Sequence, residues 1–247
     1  MQRRDLEQRL RRLERRLRCY GHGYRDLHCD GAGNAADLDA WLASNGGASA
    51  SDACSGVTWS NDFDMLSDDC GATGMATVTF TATDACGLSS STTATFTIED
   101  TTAPTIDMAA ADATVECDGA GNAADLDGWL ASNGGASASD ACSGVTWSND
   151  FDMLSDDCGA TGMATVTFTA TDDCGNSNST TATFTIEDTT APAIDMAAMD
   201  ATVECDGAGN AADLDGWLAS NGGAAASDAC SDVTWSNDFD ALSDDCG

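Results

Sequence analysis

The string CDGAGNAADLD opens at Cys29, again at Cys117 and again at Cys205, so the chain is built on an 88-residue period. From Cys29 to Ala103, compared with Cys117 to Ala191, only four positions differ: Ala40/Gly128, Ala85/Asp173, Leu88/Asn176 and Ser90/Asn178. Solenoid units are shorter than this, at about 20–50 residues, whereas about 90 residues suffice for a self-contained domain. The chain therefore reads as tandem domains joined by the segment IEDTTAP, Ile98 to Pro104 and again Ile186 to Pro192. The proline there cannot donate to a sheet ladder and biases the residue before it towards extended backbone.

These boundaries divide the chain into a basic segment 1–25 and three modules, 26–103, 104–191 and 192–247. The middle module is expected to be complete. Arg18 to His28 does not match Ile106 to Glu116, so the first module is expected to lack its opening strand. The third stops before the equivalent of Ala164 to Glu187. Leucines at 6, 10, 13 and 17 suggest an amphipathic helix in the basic segment, without the apolar core of a secretory signal. It reads either as a helical arm or as sequence foreign to the repeat, and the parent protein is expected to be longer at both ends.

Charge separates the same two chemistries. All nine basic residues are arginines between Arg3 and Arg25, whereas 39 of the 42 acids follow residue 25. Nucleic acid is excluded as a partner, because phosphate contacts need Lys and Arg. No run of about 18 apolar residues is present that could span a membrane as a helix. Twelve cysteines in 247 residues suggest an oxidising, extracellular compartment. The two histidines, His22 and His28, precede the repeat, so no His-based triad recurs with it and no enzyme is expected.

Within a module, ATVTFTATD (Ala164 to Asp172) and TTATFTIE (Thr180 to Glu187) alternate apolar and polar residues. They predict two strands burying Val166, Phe168, Phe184 and Ile186. Ala113 to Cys117 and Val145 to Asn149 predict two more. Leu126, Trp129 and Leu130 share a face of one short helix, capped by Asn122 and stopped by Asn133-Gly134-Gly135. Trp129 is expected to pack that helix onto the sheet. These elements suggest an all-β fold of tandem immunoglobulin-like antiparallel β-sandwiches, each with a short helix. The pattern ATVEC…SDAC…ATVTFTATDDCGN…TTATFTIEDTTAP resembles the hyalin-repeat (HYR-like) immunoglobulin-like modules found in tandem in large secreted bacterial surface proteins. The resemblance covers residues 29 to 247, and its most specific piece is the TVTFTATDxCGN strand and loop. It implies an extracellular structural or adhesive role without catalysis.

Four cysteines per complete module allow three pairings. A sandwich brings the SDAC and TDDCGN loops together at one end, which pairs Cys142 with Cys174 and leaves Cys117 for Cys158. Carried across the repeat, the expected pairs are 29–70, 54–86, 117–158, 142–174 and 205–246, with Cys54, Cys70, Cys86, Cys205 and Cys246 thus engaged. Cys230 is left without a partner and Cys19 lies outside the scheme. No CxxC occurs, which argues against zinc.

In such a sandwich the incoming linker lies beside the loops of the following module. Glu99 and Asp100 should then meet Asp140, Asp172, Asp173 and Asn176, and at the next joint Glu187 and Asp188 should meet Asp228. Clustered carboxylates repel unless a cation lies among them, and Ca2+ accepts six to eight oxygens at about 2.3–2.6 Å. Asp52 and Asp84 offer a weaker set in the first module, where Ala85 and Leu88 replace two candidate ligands. Neither an EF-hand loop nor an RTX-type repeat occurs. Asn178 opens a glycosylation sequon, Asn178-Ser179-Thr180. The leading expectation is the repeat region of a secreted or cell-surface stalk or filament, its partners being neighbouring copies of the same module, rigidified by calcium at the joints and by disulfides. The rival is an adhesin whose repeats bind glycans or a partner surface through Trp129, Trp147 or Phe151.

Overall fold

The computed structural model describes residues 18–20, 25–31, 34–53, 56–67, 69–155, 160–205, 207 and 209–242. The expected arm over residues 1–17, and Cys54, Cys158 and Cys246, lie outside the described residues.

The first repeat copy contains β1 (Arg18–Tyr20), β2 (Arg25–His28), α1 (Ala35–Ala43), β3 (Ser49–Ser51), β4 (Val57–Asn61), β5 (Gly74–Asp84) and β6 (Ser89–Glu99). Its centre is the long antiparallel hairpin β5–β6, in register from Gly74 opposite Ile98 to Thr83 opposite Ser89. Strict alternation buries Val78, Phe80, Ala82, Phe96 and Ile98 on one face. β4 adds antiparallel to β5, and β2 adds parallel to β6, giving the order β2-β6-β5-β4. β1 and β3 form a separate antiparallel ribbon.

The second copy repeats the plan: β7 (Thr105–Met108), β8 (Ala113–Glu116), α2 (Ala123–Ala131), β9 (Ser137–Ser139), β10 (Val145–Asn149), β11 (Gly162–Asp172) and β12 (Ser177–Glu187). The sheet order is β10-β11-β12-β8, with β7–β9 as the ribbon. The expected strands and helix are present, and Val166, Phe168, Phe184 and Ile186 are buried. These two copies are thus immunoglobulin-like β units, each with one short helix, and disulfide bonds join one copy to the next.

The helix closes the core through its tryptophan. Trp41 meets Phe80 and Phe96, each at 5.2 Å between ring centroids. Trp129 meets Phe168 at 5.2 Å and Phe184 at 5.5 Å, and its Nε1 donates to the Ala111 carbonyl at 3.1 Å. Gly134, at φ +64°, follows the helix where a Cβ would press on Phe168 and Ala110. Glycine there supplies both the left-handed backbone and the space.

Three expectations need correction. Asn122 is not a side-chain cap: at φ 50° it makes no capping hydrogen bond. Its amide instead donates to the Glu116 carbonyl at 2.9 Å, and its Oδ1 accepts the Asp118 N–H at 3.1 Å. The first copy does not lack opening strands, since β1 and β2 take the places of β7 and β8 despite unrelated sequence. Ladder hydrogen bonds use backbone groups, so an edge can recruit a strand without sequence identity. Finally, the pairing is not purely antiparallel, because the short strands β2 and β8 run parallel to β6 and β12.

The third copy has β13 (Ala193–Met196), α3 (Ala211–Ala219) and β14 (Ala225–Ser227), with β13 paired to β14. ATVEC at 201–205 and VTWSN at 233–237 form no strand, although the same strings form β8 and β10. The hairpin on which they would pair has no counterpart in residues 192–247. Trp217, the equivalent of Trp41, is accordingly 37% exposed against 4%.

The described residues form two compact units. One comprises the described residues up to Met108 with Ser137–Ser148 and Thr169–Ser179, and the other Ala109–Ala136, the described residues of Asn149–Phe168 and those from Thr180 on. Each unit contains one junction between consecutive repeat copies.

Candidate functional site

The parallel pairing of β8 with β12 decides what sits at a junction. It places the C-terminal end of β8 beside the end of β12, Glu116 opposite Glu187, and the Cys117 N–H donates to the Glu187 carbonyl at 2.8 Å. The first copy does the same, Cys29 N–H to the Glu99 carbonyl at 2.9 Å. The first cysteine of each copy therefore leaves at the end where the linker departs, facing the next copy.

There it is bonded. Among the described residues the disulfides are Cys29–Cys142, Cys70–Cys174 and Cys117–Cys230, with Cα–Cα separations of 5.7, 5.3 and 6.0 Å, in the ordinary range. None is an expected pair. Cys29–Cys70, Cys142–Cys174 and Cys117–Cys158 are all replaced by bridges from one copy to the next, and Cys230 is bonded. Cys86 and Cys205 are exposed free thiols, so neither 54–86 nor 205–246 is formed. Cys142 and Cys174 do share an end, as a sandwich implies, but each reaches back to the preceding copy. The physical reason is the exit direction of the opening strand, which antiparallel pairing throughout would have reversed.

The backbone supports the same junctions. The Ala72 N–H donates to the Cys142 carbonyl at 2.9 Å, and the equivalent Ala160 N–H to the Cys230 carbonyl at 3.1 Å. A Cβ at Gly31, at φ +75°, would land on the Ala141 carbonyl oxygen, and Gly119 stands in the same relation to Ala229. The glycine of CDG is thus required by both backbone conformation and close approach.

The carboxylates converge at these points. Oxygens of Asp100 and Asp140 lie within 4.8 Å of one another and of Cys142 Sγ, as do those of Asp188 and Asp228 with Cys230 Sγ. The sulfurs are committed to disulfides, leaving two acids at each junction. Asp140 Oδ1 accepts the Cys142 and Ser143 N–H groups at 2.8 and 3.1 Å. Asp228 does likewise with Cys230 and Ser231 at 2.8 and 3.0 Å. The Cys230 N–H holds Asp228 below the usual carboxylate range, against a smaller opposing push from Glu116. Asp100 Oδ1 accepts the Thr102 N–H at 3.0 Å, whereas its Oδ2 is buried with no hydrogen-bond partner among the described residues. A buried carboxylate oxygen without a donor is costly unless a cation faces it.

The other predicted ligands hold loops. Asp172 Oδ1 accepts the Asn176 N–H at 2.8 Å and its Oδ2 the Asn176 amide at 2.9 Å. That amide also donates to the Asp100 carbonyl at 3.1 Å, clasping the linker. Asp173 Oδ2 accepts the Gly144 N–H at 3.3 Å. Asp84 closes the β5–β6 turn by accepting the Cys86 and Leu88 N–H groups at 2.8 and 2.9 Å. Among the described residues, Glu99, Glu187, Asp52 and Asp84 join no carboxylate cluster of the kind found at the junctions. The Asn178 amide donates to the Pro104 carbonyl at 3.1 Å.

Glu116 was not among the predicted site residues. It accepts the Thr189 N–H at 3.1 Å and the Thr189 and Thr190 hydroxyls at 2.7 Å each, which hold it below the usual carboxylate range. The signal was present as the pairing of ATVEC with the linker Thr-Thr, but only the parallel strand brings the two together.

No family model matches the chain, and no curated protein matches it. Similar solved structures include Drosophila N-cadherin EC1-4 (12% identity, 57% of this chain and 44% of that chain, TM-score 0.27). Others are protocadherin gammaB7 EC3-6 (17%, 64% and 46%, 0.24) and a three-Ig segment of titin (11%, 59% and 60%, 0.24). The chain spans 44–60% of the length of these three. No helix among the described residues is long and apolar enough to cross a membrane.

Proposed function

We propose that the chain is a structural repeat region of an extracellular protein, built from the modules 26–103, 104–191 and 192–247, in which Ca2+ and disulfides rigidify the junctions. The observation that carries the calcium reading is the buried, unpartnered Oδ2 of Asp100 beside Asp140. The recurrence of the pair as Asp188 and Asp228 supports it. Asp100 and Asp140 would hold the ion at the first junction, Asp188 and Asp228 at the second. An all-oxygen, doubly charged donor set suits a hard cation, with water completing the shell. Bound there, the ion would neutralise the repulsion between linker and following copy and fix their angle. The acids that hold neither a junction nor a loop act as a solvated, self-repelling coat.

A secreted bacterial surface, with the modules forming a stalk or filament, is the setting that the hyalin-repeat resemblance favours. Near-identity of the copies supports a part whose value lies in length and mechanics. Calorimetric titration of chelator-treated protein with CaCl2 tests the reading: binding is expected at one to two sites per chain, and it is lost in Asp100→Asn combined with Asp188→Asn. An absence of heat or of any effect on melting refutes it. The adhesin alternative gains little support, because Trp129 is spent on Phe168 and Phe184. Binding to a glycan array that disappears in Trp147→Ala would favour it instead.

A further inference from the structure

The bridges between copies reach further along the chain than the repeat itself. Cys29–Cys142 and Cys117–Cys230 each span 113 residues, against a period of 88. Cys117 therefore lies inside the loop closed by the first bridge, and Cys142 inside the loop closed by the second. The two loops overlap over residues 117–142, and those 25 residue steps are the excess of 113 over 88. Bridges confined to single copies would give no such overlap.

This interleaving sets the shortest covalent route along the chain. From Cys29 it crosses through sulfur to Cys142, runs backwards along the main chain to Cys117, and crosses again to Cys230. The main chain takes 201 residue steps between Cys29 and Cys230 (230 − 29), the route only 25 (142 − 117). At about 3.3–3.6 Å per extended residue the main chain could reach about 660–720 Å. The route, with crossings of 5.7 and 6.0 Å, is taut at about 95–100 Å. Cys70–Cys174 ties the two bypassed stretches, 30–116 and 143–229, to each other without shortening the route.

The bypassed stretches hold both long hairpins, β5–β6 and β11–β12, with β4, β8 and β10. With them go the buried Phe80, Phe96, Phe168 and Phe184. On the route lie α2 and β9. The nine residues of α2 rise about 1.5 Å each as a helix and more than twice that when extended, so unwinding it yields about 16–19 Å.

We propose that the staggered disulfides form a covalent rail that carries tension past the β cores, with α2 as its extensible element. Wherever the spacing is kept, each further period adds only the 25-residue overlap to the taut length. The inference rests on the reading of the chain as a mechanical repeat, but it uses sulfur and not the carboxylate pairs.

The test is single-molecule stretching of the full oxidised chain, held by enzymatically attached peptide tags at its two ends, in CaCl2 and in EDTA. Thiol reductant is expected to lengthen the taut chain by at least about 570 Å. EDTA should change neither length, so a failure of calcium binding and a failure of the rail are told apart. The double variant Cys29→Ser/Cys142→Ser should be about 200–220 Å longer than the wild type before reduction, because its route follows the main chain from 29 to 117. Taut length reads covalent connectivity, so the variant is informative whether or not it folds. An oxidised wild type that already reaches the reduced length, or a double variant that gains nothing, overturns the proposal.

Discussion

Asp100→Asn should change the sign of its effect with calcium. The substitution keeps an oxygen to accept the Thr102 N–H and deletes one charge beside Asp140. With the facing oxygens within 4.8 Å, the repulsion removed is about 0.9 kcal/mol at the dielectric of water and about 3.5 kcal/mol at an effective value of 20. The new amide can also donate to Asp140. In EDTA the variant should therefore match or exceed the wild type in stability. Calcium reverses the order, because the wild type gains about 2.7 kcal/mol when the free ion is a hundredfold above its dissociation constant, while the variant has lost half of its charged donor set. Urea unfolding followed by tryptophan fluorescence, in EDTA and in CaCl2, reads both states, with Trp41 reporting the core next to this junction. The reasoning is refuted if the variant loses equal stability in both buffers, or if calcium leaves the wild-type curve where it was.

Trp41→Ala should cost roughly 3–5 kcal/mol, whereas Trp217→Ala, in almost the same local sequence, should cost far less because its ring is not enclosed; equal losses would contradict the hairpin-built core. Removing the Cys117–Cys230 bridge with paired serines should cost about 4.8 kcal/mol in the chain-entropy model for a loop of this length, read by chemical denaturation. Asp62 and Asp150 are held below the ordinary carboxylate range chiefly by the N–H groups of Thr79 and Thr167. Their contribution is present above the unfolded-state value near pH 4 and is lost as pH falls through the lower folded value. Melting followed from pH 7 to 3 should show that loss, with a shallower slope in Asp62→Asn/Asp150→Asn; an unchanged slope speaks against it.

Local patterning was legible without coordinates. Alternation in TVTFTATD and TTATFTIE specifies a strand with one buried face, and the spacing of Leu126, Trp129 and Leu130 specifies the helix, because both follow from backbone periods of two and 3.6 residues. The convergence of Asp100 with Asp140, and of Asp188 with Asp228, was also readable, since a linker must enter where the following loops lie. The roles of Asp172, Asp173 and Asn176 were not, because a carboxylate beside free backbone N–H groups can satisfy them instead of a cation.

The sequence by itself determined the period, the long hairpin and helix of the complete copy and the acidity of the junctions, which rest on local patterns that can be read along the chain. Only the tertiary structure decided which cysteines meet, that β1 and β2 complete the first copy, and that VTWSN is a strand at 145–149 but not at 233–237. Each of these depends on a partner distant in sequence: the direction of β8 against β12, an open sheet edge, or a hairpin that supplies the ladder. Hydrogen bonds and disulfides to such partners are set by position in space, which a local pattern does not encode.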